Sequence, residues 1–194
     1  MITIIINKGQ TVQPEQYIRQ LNIEKVIIGK NAIIGDSAFQ NCTGITEVII
    51  HEGARISDSS FGACSGITKI NIAKNVTIED CAFMCCTGIT ELNIAKGVTV
   101  GKVAFSGCTG ITELNIAEGV NIGDSAFYKC KAITELDIAK GVIIGHGAFA
   151  YCTGITKLTI AKSVTIGYGA FFDCTDITEL TIAPGVRVDV KPFF

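Results

Sequence analysis

A stacked, mainly β repeat solenoid is the fold this sequence predicts, and three observations carry the prediction. Phenylalanine recurs at a constant step of 22 residues, at Phe39, Phe61, Phe83, Phe105, Phe127, Phe149, Phe171 and Phe193. Cysteine keeps the same step at Cys42, Cys64, Cys86, Cys108, Cys130, Cys152 and Cys174. Between these columns, short runs alternate apolar and polar residues in every repeat. A fixed period of this size marks coils that stack on one another, because each unit has one apolar wall and nothing of its own to cover it.

The copy that begins at Ile111 shows the elements in order. Leu114 and Ile116 alternate with Glu113 and Asn115, which predicts a half-buried strand. Gly119 punctuates the chain, and Val120 with Ile122 forms a second, shorter alternation that ends at Gly123. Ala126, Phe127 and Cys130 then fall at short spacings that predict a helical or 3₁₀ turn with one face inward. Lys131 and Ala132 return the chain to the next copy at Ile133. Stacked in register, Leu92, Leu114 and Leu136 cover one another in a parallel ladder, as do Ile94, Ile116 and Ile138.

The register reaches back to the N-terminus, where Tyr17 occupies the phenylalanine column and Ile23, Val26, Ile28 and Ile34 fill theirs. Ile4 and Ile6 begin a strand one step earlier. The expectation is one solenoid domain over residues 1–194, in about eight and a half repeats. The polar stretch from Gln10 to Gln16 and the segment from Arg187 to Lys191 read as end caps. Phe193 and Phe194 are left with little to cover them, which makes the C-terminal end a candidate surface for forming a homo-oligomer.

Composition removes several classes of function. Apolar residues make up 48% of the chain and charged residues 18%, the balance of a globular protein and not of a disordered one. A net charge of −2 supplies no basic field for a phosphate backbone, so nucleic acid is not an expected partner. No apolar run approaches the roughly 18 residues of a membrane span. The N-terminus lacks the basic start, apolar stretch and cleavage site of a secretory signal. Either the protein stays inside the cell or a leader has been removed.

The unit from Ile89 to Gly110 reads I-T-E-L-N-I-A-K-G-V-T-V-G-K-V-A-F-S-G-C-T-G. It resembles a leucine-rich repeat and, more narrowly, the BspA-like, treponemal-type class, whose strand L-x-x-L-x-I is followed by V-x-x-I-G-x-x-A-F-x-x-C. The chain departs from that class in two ways. Ala73, Ala95, Ala117, Ala139 and Ala161 stand where a proline is usual, and the repeat is one residue shorter. The resemblance implies a curved solenoid with its strands on the concave side. It also implies adhesion to host or matrix partners by a secreted or cell-surface protein.

Two sets of outward residues are candidate binding sites. On the strand face, Glu91, Asn93, Glu113, Asn115, Glu135 and Asp137 line up as an acidic patch suited to a basic peptide or a cation; the bland alternative is a solvated face that keeps the ladder soluble. On the outer turns, Tyr128, Tyr151, Tyr168 and Phe172, with Met84 in an earlier copy, form a candidate aromatic patch; the alternative is partial packing onto adjacent coils. The cysteine column is read as buried free thiols, since a line of ligands does not converge on a tetrahedral metal. Cys81 and Cys85 lie off that column, and His51 and His146 fall in different columns, so no nucleophile pair is suggested. The stretch from Ile28 to Ala38 looks like the hexapeptide of left-handed β-helix acyltransferases, but the repeat is not a multiple of six. A threonine column from Thr46 to Thr178 could present ordered hydroxyls to ice. The reading is a non-enzymatic scaffold for a protein or glycan, with no catalytic residue, metal or cofactor. A self-associating solenoid is the alternative, and an ice-binding one the minor alternative.

Overall fold

A computed structural model of the chain describes residues 1–188. Long and short strands alternate along it. The long strands are β1 (Ile2–Ile6), β3 (Ile23–Ile28), β5 (Glu47–Ile50), β7 (Lys69–Ile72), β9 (Glu91–Ile94), β11 (Glu113–Ile116), β13 (Glu135–Ile138), β15 (Lys157–Ile160) and β17 (Glu179–Ile182). A two-residue strand follows each, from β2 (Thr11–Val12) to β18 (Arg187–Val188). All pairings are parallel and join each coil to the next in register, as in Leu114 opposite Leu92 and Ile122 opposite Ile144. The solenoid expected from the period is therefore the fold. In β11 the predicted alternation holds residue by residue, with Leu114 and Ile116 buried and Glu113 and Asn115 exposed.

The short strands make one continuous nine-stranded sheet, whereas the long strands divide into β1-β3-β5-β7 and β9-β11-β13-β15-β17. The third side of each coil is not the helical segment that the spacing predicts. Among the described residues there is no helix. In the coil from Gly35 to Cys42, the N–H groups of Ala38, Gln40 and Cys42 bond three residues back, at 3.2, 3.0 and 3.1 Å. Those of Ser37, Phe39 and Asn41 instead donate to Asp58, Ser60 and Gly62 of the next coil, at 2.9, 2.7 and 2.8 Å. A helix keeps its N–H groups on its own axis; here alternate groups are claimed by the neighbouring coil, so the chain runs as linked tight turns.

The core is a set of files. Phe39, Phe61, Phe83, Phe105, Phe127, Phe149 and Phe171 are fully buried. Their rings stack face to face, with centroids 5.0 to 5.5 Å apart and planes within 8° of parallel. Tyr17 extends the file by one ring, 4.9 Å from Phe39. Each column cysteine is free and buried. Its Sγ–H points at the phenylalanine (or tyrosine) carbonyl of the coil before, at 2.9 Å from Cys42 to Tyr17 and 3.2 Å from Cys130 to Phe105. The column thus supplies a hydrogen-bond donor as well as apolar volume. Phe193 and Phe194 lie outside the described residues.

Candidate functional site

The long-strand face carries the first candidate set. Glu91, Asn93, Glu113, Asn115, Glu135 and Asp137 are all exposed, because the strand period turns alternate residues away from the core. Asn93 Nδ2 donates to Glu91 Oε1 and Asn115 Nδ2 to Asn93 Oδ1, both at 2.8 Å. Beyond them Thr112, Glu113, Leu114, Asn115, Thr134, Glu135 and Asp137 line a shallow cleft of about 280 Å³. The acidic run is bounded by Lys69 on one side and by Lys157 on the other, the latter 4.0 Å from Glu135. Glu47, in the same column, lies 2.6 Å from Lys25 and 3.2 Å from Lys69. The hydrogen bond from Lys25 holds its carboxyl below the usual range, with Lys69 adding to the effect.

The second set is brought together only in part. Tyr128, Tyr151 and Phe172 come from three successive coils and meet edge to face, at 5.3 and 5.6 Å between ring centroids. Lys129 Nζ lies over both tyrosines, 5.1 and 5.8 Å from their centroids. Tyr128 and Tyr151 are half-buried and Phe172 is exposed. Edge-to-face contact and cation–π contact fix the rings in place while leaving apolar surface to solvent. Tyr168 stands apart from this run. It is 56% exposed, and its N–H donates to His146 Nδ1 at 2.9 Å.

The threonine column does not offer free hydroxyl donors along its length. Thr46, Thr68, Thr112, Thr156 and Thr178 donate Oγ1–H to the carbonyl of the preceding coil at 3.2 to 3.4 Å. These groups act as clamps between coils.

A family model for the BspA-type leucine-rich repeat region matches residues 10–120 and 77–191, in six copies. The chain belongs to the BspA-type leucine-rich repeat family. Solved leucine-rich repeat structures share the fold. A leucine-rich repeat protein from Bacteroides ovatus is 19% identical over 92% of this chain and 54% of its own, with a TM-score of 0.63. A leucine-rich cell surface protein from Faecalibacterium prausnitzii gives 19%, 95%, 70% and 0.64, and the leucine-rich repeat protein of T. pallidum 19%, 90%, 83% and 0.57. The chain thus spans about half the length of the Bacteroides ovatus protein. No curated protein matches it.

Within this leucine-rich repeat one structural column escapes a reading of the sequence. Asp58 Oδ1 accepts the N–H of Asp80 at 3.2 Å, Asp80 Oδ1 that of Lys102 at 2.7 Å, and Asp124 Oδ1 that of His146 at 2.9 Å. His146 Nδ1 continues the chain of acceptors to Tyr168, which places the ring proton on Nε2. Asp36, Asp58, Asp80 and Asp124 recur at the repeat step, so the signal was present. It reads as charge in the sequence and serves as backbone capping in the fold. Among the described residues, no group of three or more His, Cys, Asp or Glu side chains is placed to hold a metal ion.

Proposed function

We propose that the protein is a non-enzymatic binding scaffold that engages a protein or glycan through contacts spread over several coils, at a cell surface or in the surrounding medium. The observation that carries this reading is the run of Tyr128, Tyr151 and Phe172 with Lys129 above it. In earlier coils the column of Tyr128 holds Gln40, Gly62 and Ser106. A stack that needs no aromatic there nevertheless carries a preformed, rigid, partly apolar ridge at its C-terminal third. Rigid aromatics flanked by a cation lose little entropy on contact and are the residue types that dominate binding energy. The exposed acidic strand face is the second surface available to a partner, and the cell-surface name borne by the Faecalibacterium prausnitzii protein agrees with the location.

The test is a paired binding screen. Labelled wild-type protein and a Tyr128→Ala, Tyr151→Ala variant are applied to a glycan array and to an array of secreted and cell-surface proteins. Loss of about 2 kcal/mol or more in affinity for the partner found is expected. A variant that keeps every contact at full strength would remove the aromatic ridge as the site.

Self-association is the second reading, and one observation favours it. All four residues of β17 are exposed, including Leu180 at 47% and Ile182 at 42%, although their column mates Leu158 and Ile160 are buried. Among the described residues β17 has a strand partner on one side only, and an edge with apolar residues accepts another strand readily. Light scattering on the wild type and on a Leu180→Asp, Ile182→Asp variant decides this reading, which requires a larger particle in the wild type alone.

A further inference from the structure

The long strands do not close on one another at every junction. The ladder stops after β7 and begins again at β9. Further along, β11 and β13 pair only at Ile116 opposite Ile138, whereas β9–β11 and β13–β15 pair at all four positions. Bonds flanking the strands report the same two seams independently. The first residue of a strand reaches back to a threonine carbonyl, as Lys69 does to Thr46 at 3.1 Å, Glu113 to Thr90 at 3.2 Å and Lys157 to Thr134 at 3.3 Å. Among the described residues, Glu91 and Glu135 make no such bond. At the strand ends, Ala73, Ala117 and Ala161 bond back to Ile50, Ile94 and Ile138 at 3.0 Å, whereas Ala95 and Ala139 do not. The threonine clamps skip Thr90 and Thr134, the members that would cross these same seams.

The rest of each coil stays closed where the seams open. Phe83 and Phe105 remain stacked at 5.3 Å, and Phe127 and Phe149 at 5.2 Å. The short strands pair without a break through Thr77, Thr99, Asn121 and Ile143.

Side chains account for both seams. At the first, the inward column changes from Val26, Val48 and Ile70 to Leu92 and Leu114, so a β-branched side chain meets one that branches a carbon further out. At the second, Glu113 faces Glu135 as it faces Glu91 on its other side. The Glu91 junction is crossed by the bond from Asn115 to Asn93, whose own amide covers the Glu91 carboxylate. Among the described residues the Glu135 junction has no such bridge, its nearest cation being Lys157 on the far side at 4.0 Å. The amide ladder that ties Asn93 to Asn115 also ends there, because the next member is Asp137, which accepts hydrogen bonds but has none to give.

We propose that the long-strand sheet is a three-leaf hinge: the leaves β1-β3-β5-β7, β9-β11 and β13-β15-β17 tilt about the unbroken short-strand sheet and phenylalanine file. Opening at a seam sacrifices few hydrogen bonds, since the strands there share none at the first seam and pair only at Ile116 opposite Ile138 at the second. A partner lying across a seam selects one tilt, so the curvature of this face adjusts to what it binds.

Amide hydrogen exchange by NMR on the full chain tests the hinge, because equivalent positions in neighbouring coils serve as internal references. The amides of Glu91, Ala95 and Glu135 are expected to exchange about tenfold or more faster than those of Glu113, Ala117 and Lys157. A Glu113→Lys variant places a cation between Glu91 and Glu135. It should slow the Glu135 amide by about threefold or more while leaving Glu91 and Ala95 unchanged. Uniform exchange across these positions in the wild type overturns the hinge. So does a Glu113→Lys variant that leaves Glu135 as fast as before, or that slows both seams alike.

Discussion

The turn side of the coil and the long-strand side are built from the same repeat, yet they hold the stack together differently. On the turn side every coil grips the next through one uncharged set of contacts: a ring on a ring, a thiol on a carbonyl and an N–H of the phenylalanine column on the coil ahead, at 2.7 to 2.8 Å from Phe39 to Phe149. Nothing in that set varies with charge or branching, so it continues without a break. On the long-strand side the inward column changes from Ile70 to Leu92, where the sheet parts, and an outward column changes from Asn115 to Asp137, where the pairing thins to Ile116 opposite Ile138. Identical files keep a repeat closed; columns that change, inward at the first seam and outward at the second, decide where it opens.

The largest effect should come from breaking the turn side. Phe105→Ala removes the middle of the ring file, which is fully buried and stacked on Phe83 and Phe127. Rings in contact on both faces leave little scope for collapse, so a loss of about 3–5 kcal/mol in unfolding free energy is expected from urea titration. A loss below about 1 kcal/mol would mean that the file contributes little to the grip.

The contrast between the two sides also explains what the sequence revealed. The ring file, the thiol column and the alternation of Leu114 and Ile116 depend on spacing within the chain, and a constant step makes them visible. Tyr17 could be placed in the ring file for the same reason. The seams depend on how far apart two coils sit, which no single-chain period encodes. The aromatic surface was half legible. Tyr128, Tyr151 and Phe172 converge because they lie in two adjacent columns, whereas Tyr168 lies near them in sequence and projects elsewhere. The predicted helical turn failed because alternate N–H groups, such as those of Ser37 and Phe39, are satisfied by the next coil.

Alkaline pH should loosen the turn side selectively. Burial lifts the thiols of Cys64 and Cys108 to about 12. In the unfolded chain such a thiol ionises near about 8.5, so above that pH the folded state retains a proton that the unfolded state has released. The stabilisation is therefore complete below the unfolded value and is lost as pH rises toward the folded one. The loss is about 1.4 kcal/mol per pH unit for each thiol. Cys108→Ser keeps a donor for the Phe83 carbonyl, which Cys108 Sγ now meets at 3.1 Å, and does not titrate. The stability gap between wild type and variant should narrow by about 1.4 kcal/mol per pH unit between roughly pH 9 and 11. A gap independent of pH would place the thiol outside the core.

The smallest effect concerns strain that the turn side tolerates to keep its grip. Val103 has φ of +59°, in the column where Gly147 and Gly169 have +60°. A β-branched residue in the left-handed region is crowded against its own backbone, at a cost of about 1–2 kcal/mol relative to glycine. What holds it there is the bond from Val103 N–H to Asp124 O at 2.9 Å, which belongs to the turn-side ladder and not to the side chain. Val103→Gly keeps that bond and relieves the crowding. It also gives up part of a half-buried side chain and adds freedom to the unfolded chain, which offsets some of the gain. A net stabilisation of about 0.5–1 kcal/mol in urea is expected. Destabilisation would show that the Val103 side chain, and not the backbone ladder alone, secures this coil to its neighbours, and the division between an invariant grip and a variable surface would have to be redrawn to include it.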